Sequence, residues 1–170
     1  MAMKNVTYYV WCLPRPKSNK YRGGFPLHFE KKLLEFLGLD PKNALILHQF
    51  GGAGEYGLRV DLKREARPHI VADAHHLPFP DNTFDLVICD PPYSDELAES
   101  LYETPPLKFN RWTEEAVRVC KVYGIICLYH MLIMPRLKGT RLVSRIVVLG
   151  KVFSRPRVAT ILQKRPEGWI

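Results

Sequence analysis

Only seven residues, GGAGEYG (51–57), separate the apolar run ALILHQF (44–50) from the run LRVDL (58–62). Both runs have the length and aliphatic character of short buried strands. Seven extended residues reach about 25 Å at most. That is enough to return along a short strand but too little to hold a proper helix as well. A parallel crossover ordinarily needs a dozen or more residues, usually with a helix inside it. The next link, KREARP (63–68), which leads to HIVADA (69–74), is equally brief. The chain therefore reads as a doubly wound α/β fold pared down on one side. The sheet face near these strands is expected to be thinly covered and open to a partner.

The rest of the chain fits that frame. LHFEKKLLEFLGL places apolar residues at 29, 33, 34, 36 and 37, close to helical spacing, and Gly38 and Pro41 end it. FDLVICD (84–90) is a strand entered from a turn at Pro80–Asp81–Asn82. WTEEAVRVC (112–120) is a helix with Thr113 as its N-cap, and GIICLYH (124–130) is a further strand. RIVVLGKV (145–152) and RVATILQKR (157–165), joined through FSRP, suggest a C-terminal hairpin. Strands alternating with helices imply a mostly parallel sheet, which the hairpin makes mixed. LPRPKSNKYRGGFP (13–26) reads as loop, and a length of 170 residues favours one domain.

Composition narrows the function classes. The longest apolar stretch, GIICLYHMLIM (124–134), is broken by His130 and stops at Pro135, short of a membrane span. The N-terminal stretch lacks a signal-peptide pattern, so a cytoplasmic protein without a membrane role is expected. Cys12, Cys89, Cys120 and Cys127 show no CxxC spacing, which argues against a zinc site or a disulfide framework. Cys89 and Cys127 read as core residues. The net charge of +8 is uneven: seven Lys/Arg against one acid over 1–32, ten against one over 121–170, and eight against fifteen between. Basic ends of this kind are either a solvated surface or the footprint of a polyanion such as nucleic acid.

Two segments carry chemistry. FGGAG (50–54) follows a strand, where glycines let the backbone turn tightly and approach a ligand. Asp61 and Asp73 end the next two strands. Three such strand ends would line the carboxyl edge of one parallel sheet, where ligands of open α/β sheets bind. Taken singly, each feature is also an ordinary turn or surface acid. No GKS or GKT follows the glycines, which disfavours a nucleoside-triphosphate loop. The second segment is VICDPPYS (87–94), an apolar strand that runs into Asp90, Pro91, Pro92 and Tyr93. His75 and His76 read as loop residues and His130 as a packed residue at a strand end. Trp11 and the tyrosines at 8, 9 and 21 read as core or lid.

FGGAG, Asp61 and ADAHHLPFPDNTFDLVICDPPY, in that order, resemble the class I S-adenosylmethionine-dependent methyltransferases. DPPY resembles the catalytic motif of those that methylate amino groups of nucleic-acid bases. The likeness covers about residues 22–130. It implies a Rossmann-like methyltransferase fold: a mostly parallel sheet, a C-terminal antiparallel hairpin and shortened crossover helices around the second and third strands. The cofactor it implies is S-adenosylmethionine, held by Phe25, Pro26, Phe50, Gly51, Gly52, Gly54, Asp61, Asp73 and Ala74, with no metal. The family's glycine motif opens on an acid, whereas His48 stands at that position here.

The same resemblance assigns catalysis to Asp90, Pro91, Pro92 and Tyr93. An exocyclic base amino group is a poor nucleophile because its lone pair is delocalised into the ring. Two fixed acceptors, the Asp90 carboxylate and the Pro91 carbonyl, favour the pyramidal nitrogen that forms as the methyl arrives. The prolines hold that carbonyl still, and Tyr93 offers a stacking face. The substrate expected is DNA, at adenine N6 or cytosine N4. The alternatives are RNA, at guanine N2 or adenine N6, and a non-catalytic cofactor- or nucleic-acid-binding subunit; a small-molecule substrate fits the charge less well. The chain has no room for a target-recognition domain, so a protein partner or a second copy is expected to aid recognition.

Overall fold

The computed structural model describes residues 6–14, 24–52, 54–93, 107–150 and 155–168. Tyr21, Ala53 and residues 94–106 lie outside them; the last are most of the segment 94–111, which the sequence offers for substrate contact. The elements in chain order are β1 (Thr7–Cys12), α1 (Phe29–Leu37), β2 (Ile46–His48), β3 (Leu58–Asp61), a single 3-10 turn (Arg64–Ala66), β4 (Ile70–Val71), β5 (Phe84–Cys89), α2 (Phe109–Val119), β6 (Cys120–His130), β7 (Thr140–Leu149) and β8 (Arg157–Lys164). All eight strands form one sheet in the order β1-β7-β8-β6-β5-β2-β3-β4.

β4, β3, β2, β5 and β6 are mutually parallel. β8 runs antiparallel to β6 and to β7, so the sheet is mostly parallel and mixed at its C-terminal end, as expected. No helix stands between β2 and β3 among the described residues, and the helical part of the link between β3 and β4 is a three-residue 3-10 turn. Val71 on β4 and Leu62 after β3 are 45% and 46% exposed, so this side of the sheet is thinly covered.

Alternation along the strands divides the core into two layers. Leu86 and Ile88 of β5 face one side, where they pack with Ile46, Tyr129 and Ile161 under Phe29, Leu33 and Leu34 of α1. Val87 and Cys89 face the other, against Leu47, Ile126 and Leu128 under Trp112, Ala116 and Val119 of α2. α1 ends as its sequence dictates: Gly38 takes a left-handed conformation (φ 66°) and its N–H returns to the last turn.

Several boundaries differ from the sequence reading. β2 covers three residues of the run 44–50 and β4 two of the run 69–74, because the neighbouring residues already curve into the turns at the sheet edge. β6 begins at Cys120, at the very end of α2, and β7 begins at Thr140, five residues earlier than expected. Thr113 is not the N-cap of α2. The helix starts at Phe109 after Lys108, and Thr113 Oγ1 donates back to the Phe109 carbonyl at 2.7 Å. β1 has no counterpart in the expected element list. It pairs in parallel with β7 and buries only Trp11, which packs edge-on against Phe36.

Candidate active site

The carboxyl ends of β4, β3, β2 and β5 lie side by side, and they carry Asp73, Asp61, the glycine turn and Asp90 respectively. At ordinary strand spacing this edge spans about 14 Å across three gaps. The structure therefore brings the expected site segments to one edge, as a Rossmann-like sheet requires.

The glycine turn is held from below and from α1. Gly51 N–H donates to the Val60 carbonyl at 2.6 Å, tying the turn to β3. A Cβ on Gly54 would come within 2.8 Å of the His48 ring, so a side chain here must displace that ring. His48 is buried, and its Nε2 lies 3.0 Å from Glu30 Oε1 and 2.9 Å from the Tyr56 carbonyl. Glu30, on the buried face of α1, also accepts the backbone N–H groups of Glu55 (2.9 Å) and Tyr56 (3.3 Å). A carboxylate thus stands beside the motif position after all, delivered by the helix and used to clamp the turn. Arg59 of β3 adds a bond to the Gly52 carbonyl at 3.2 Å.

The strand-end acids Asp61 and Asp73 are engaged locally. Asp61 accepts the Lys63 N–H at 2.9 Å. Asp73 accepts both the backbone N–H of His75 (2.9 Å) and its ring Nδ1 (2.7 Å). Burial pushes the Asp73 carboxyl up, but these hydrogen bonds and the neighbouring histidines win and hold it below the usual range. His75 in turn accepts the Lys108 N–H on Nε2 at 3.0 Å, linking the Asp73 turn to the start of α2. Ala74 is buried, and its carbonyl accepts from Gln49 Nε2 at 2.9 Å. Gln49 also donates to the Trp112 carbonyl (2.8 Å) and accepts from Cys89 Sγ (3.1 Å), bracing β2, β5, the Asp73–Ala74 turn and α2 together. Phe50 turns toward α2 and meets Trp112 edge-on. Phe25, just ahead of Pro26, stacks on Phe29 and packs edge-on against Tyr129, over the ends of β2 and β6.

At the end of β5, Asp90 Oδ1 is buried without a hydrogen-bond partner among the described residues. Burial pushes the Asp90 carboxyl up to about 7, against the pull of a hydrogen bond with Tyr93 and the charge of Arg157. Pro91 is buried and Pro92 half-buried. The Tyr93 hydroxyl accepts from Arg157 Nε at 3.0 Å, and the guanidinium carbon lies 4.7 Å from the ring centroid. His130, at the end of β6, meets the Tyr93 ring edge-on at 5.0 Å. His130 therefore belongs to the site edge as well as to the packing.

Sequence reasoning missed Glu30, Gln49 and Arg157. The first two had a signal: an acid on the apolar face of a helix between Phe29 and Leu33, and an amide inside a buried run. Arg157 had none, because its place depends on β8 running antiparallel.

A doubly wound sheet with an antiparallel strand inserted beside β6, and a glycine turn after its first central strand, is the architecture of class I methyltransferases. The sequence bears this out: a methyltransferase-domain profile matches residues 23–128, more than half of the chain, and the chain belongs to that family. TrmN from Thermus thermophilus superposes with a TM-score of 0.58 at 22% identity, over 84% of this chain and 50% of that one; this chain thus spans half the length of that protein. The MccD protein gives 0.57 at 12% identity, over 82% and 98%. A SAM-dependent methyltransferase from Aquifex aeolicus gives 0.51 at 14%, over 80% and 89%. No curated relative matches the sequence. The chain is thus an S-adenosylmethionine-dependent methyltransferase by family, and its residues fit that cofactor: a glycine-rich turn, strand-end carboxylates and a buried carboxylate oxygen without a partner among the described residues share one edge. Among the described residues there is no cluster that could hold a metal and no helix long and apolar enough to cross a membrane.

Proposed function

We propose that this methyltransferase alkylates an exocyclic amino group of a nucleic-acid base, in the first place adenine N6 or cytosine N4 of DNA. The observation that carries the reading is Asp90 Oδ1, an acceptor buried at the end of β5 and unpartnered among the described residues, next to the Pro91 backbone and the Tyr93 ring. S-adenosylmethionine supplies the electrophilic methyl group. The chain's residues do the rest. Phe25 and the glycine turn hold the methionine end, while Asp61 and the Asp73–Ala74 turn hold the adenosine end. Asp90 and the Pro91 carbonyl accept the two amino N–H bonds, so the nitrogen lone pair is turned out of conjugation toward the methyl carbon. The N–CH3 bond forms as the carbon–sulfur bond breaks, and the proton shed by the amino nitrogen passes to Asp90. A carboxyl that titrates near neutrality accepts that proton more readily than an ordinary aspartate. The basic ends of the chain supply attraction to phosphates.

The test supplies labelled S-adenosylmethionine with DNA and with total RNA in parallel, followed by digestion of each polymer to nucleosides. Label in the N6-methyladenine or N4-methylcytosine nucleosides of DNA is the expected result, and it should fall steeply as salt rises. Label in RNA would move the substrate class. Label in neither polymer at low salt, from protein that binds the cofactor, would refute the reading in favour of a binding subunit.

A further inference from the structure

The antiparallel strand β8 does something for the site that the parallel strands cannot. Its N-terminal end lies at the carboxyl edge of β6, where Val158 pairs with His130. This brings Arg157 from the last strand of the chain to the end of β5. We propose that Arg157 is the positioning residue of the catalytic edge: it fixes Tyr93 through the hydroxyl and the ring, and it is the permanent positive charge that faces the Asp90 carboxylate. The proposal rests on the catalytic reading of Asp90 given above.

Three observations support it. First, the contact with Tyr93 is twofold, Nε to hydroxyl at 3.0 Å and guanidinium to ring at 4.7 Å, which restrains both the position and the tilt of the ring. Second, the guanidinium is itself held: Nη1 donates to the carbonyls of Arg155 (3.0 Å) and Pro156 (3.3 Å), so it is braced by its own strand end. Third, the other groups that face Asp90 among the described residues carry no charge to compete. Cys89 on β5 and Cys127 and Tyr129 on β6 are each pushed well up by burial, and the Asp90 charge raises them further. The Tyr93 hydroxyl is pushed up in the same way. His130 is held below its usual range by burial and by Arg157 itself, and its Nδ1 accepts the Leu132 N–H at 2.9 Å, as a neutral ring does. Around neutral pH, Arg157 is therefore the cation at this carboxylate among the described residues.

The geometry suits the chemistry. A lysine would give the charge alone, whereas the planar fork of arginine gives the charge and the Nε bond together. Arg157 also shares a strand with Ala159 and Ile161, which are buried against the α1 layer, so its backbone is anchored in the core while its head reaches the site.

The experiment follows the Asp90 carboxyl by carbon NMR in cofactor-free protein carrying labelled aspartate, and Tyr93 by its labelled ring carbon. In Arg157→Met the Asp90 midpoint is expected to rise by about one unit, the low end for loss of an opposite charge at close range, and the Tyr93 resonance to shift. In Arg157→Lys the Asp90 midpoint is expected to return toward that of the unaltered protein while the Tyr93 resonance stays displaced. An unchanged midpoint in Arg157→Met would overturn the proposal, as would equal displacement of the midpoint in both variants. The lysine variant guards against a mere packing defect, because it keeps the bulk and the charge. The NMR readout needs no methyl transfer, so failure to methylate DNA or RNA refutes the catalytic reading without touching this test.

Discussion

Replacing Asp90 by asparagine should stabilise the fold at alkaline pH while destroying catalysis. The unfolded chain ionises Asp90 near 3.8, whereas the folded chain does so near 7 because the group is desolvated. Between these values the folded state binds the proton that the unfolded state has released. Stability therefore falls as pH rises through that window, and the loss is complete above about 7. A difference of about three units corresponds to about 4 kcal/mol. Structural relaxation around the buried charge reduces what is measured, and about 2 kcal/mol is expected. The Asp90→Asn variant carries no charge at this position at any pH and keeps the side-chain shape. Thermal unfolding of cofactor-free protein should thus show the variant melting about 4–8 °C higher at pH 8, at roughly 2–4 °C per kcal/mol for a chain of this length. The gap should shrink toward zero at pH 4.5. A variant that melts lower at pH 8, or a gap that ignores pH, would refute the argument that this carboxylate is held at the cost of stability.

Three further outcomes follow from the bracing of the site. Glu30→Ala removes the acceptor shared by His48, Glu55 and Tyr56, and it should cost about 3 kcal/mol in denaturant unfolding and weaken cofactor binding in calorimetry; unchanged affinity would show that the clamp is not needed. Gln49→Ala leaves the Ala74 and Trp112 carbonyls without their donor and should destabilise by about 2–4 kcal/mol; urea titration checks this, and a loss below about 1 kcal/mol would contradict the bracing role. Gly54→Ala drives a methyl group into the His48 ring, so equilibrium dialysis should show at least tenfold weaker S-adenosylmethionine binding with the fold retained, and undiminished binding would mean that the turn is not a cofactor cradle.

The central strands and their order of chemistry were readable because the reasons are local. The run LVIC (86–89) is apolar on both faces and bounded by turn signals, so it reads as a strand covered on both sides, and DPPY at its end follows directly. The spacer GGAGEYG excluded a helix by length alone. What was not readable depends on distant pairing. β1 exposes four of its first five residues, so its sequence carries no burial pattern. Its reason for being a strand is the free edge of β7, more than a hundred residues away. Thr113 looked like a cap because threonine caps helices, but the His75 ring already holds Lys108 and starts the helix a turn earlier. Arg157 is the clearest case: an arginine after Ser-Arg-Pro means nothing until β8 is known to run against β6.

β1 also sets the order in which the molecule can be completed. Thr7 and Ser144 are joined across the sheet, the Ser144 hydroxyl donating to the Thr7 carbonyl at 2.8 Å over 137 residues of chain. At about 5–20 residues per second a ribosome takes roughly 7–27 s to make that interval. β1 therefore leaves the ribosome long before the strand it pairs with. Tyr8, Tyr9 and Val10 remain exposed in the finished molecule, so the late docking of this strand buries little apolar surface beyond Trp11.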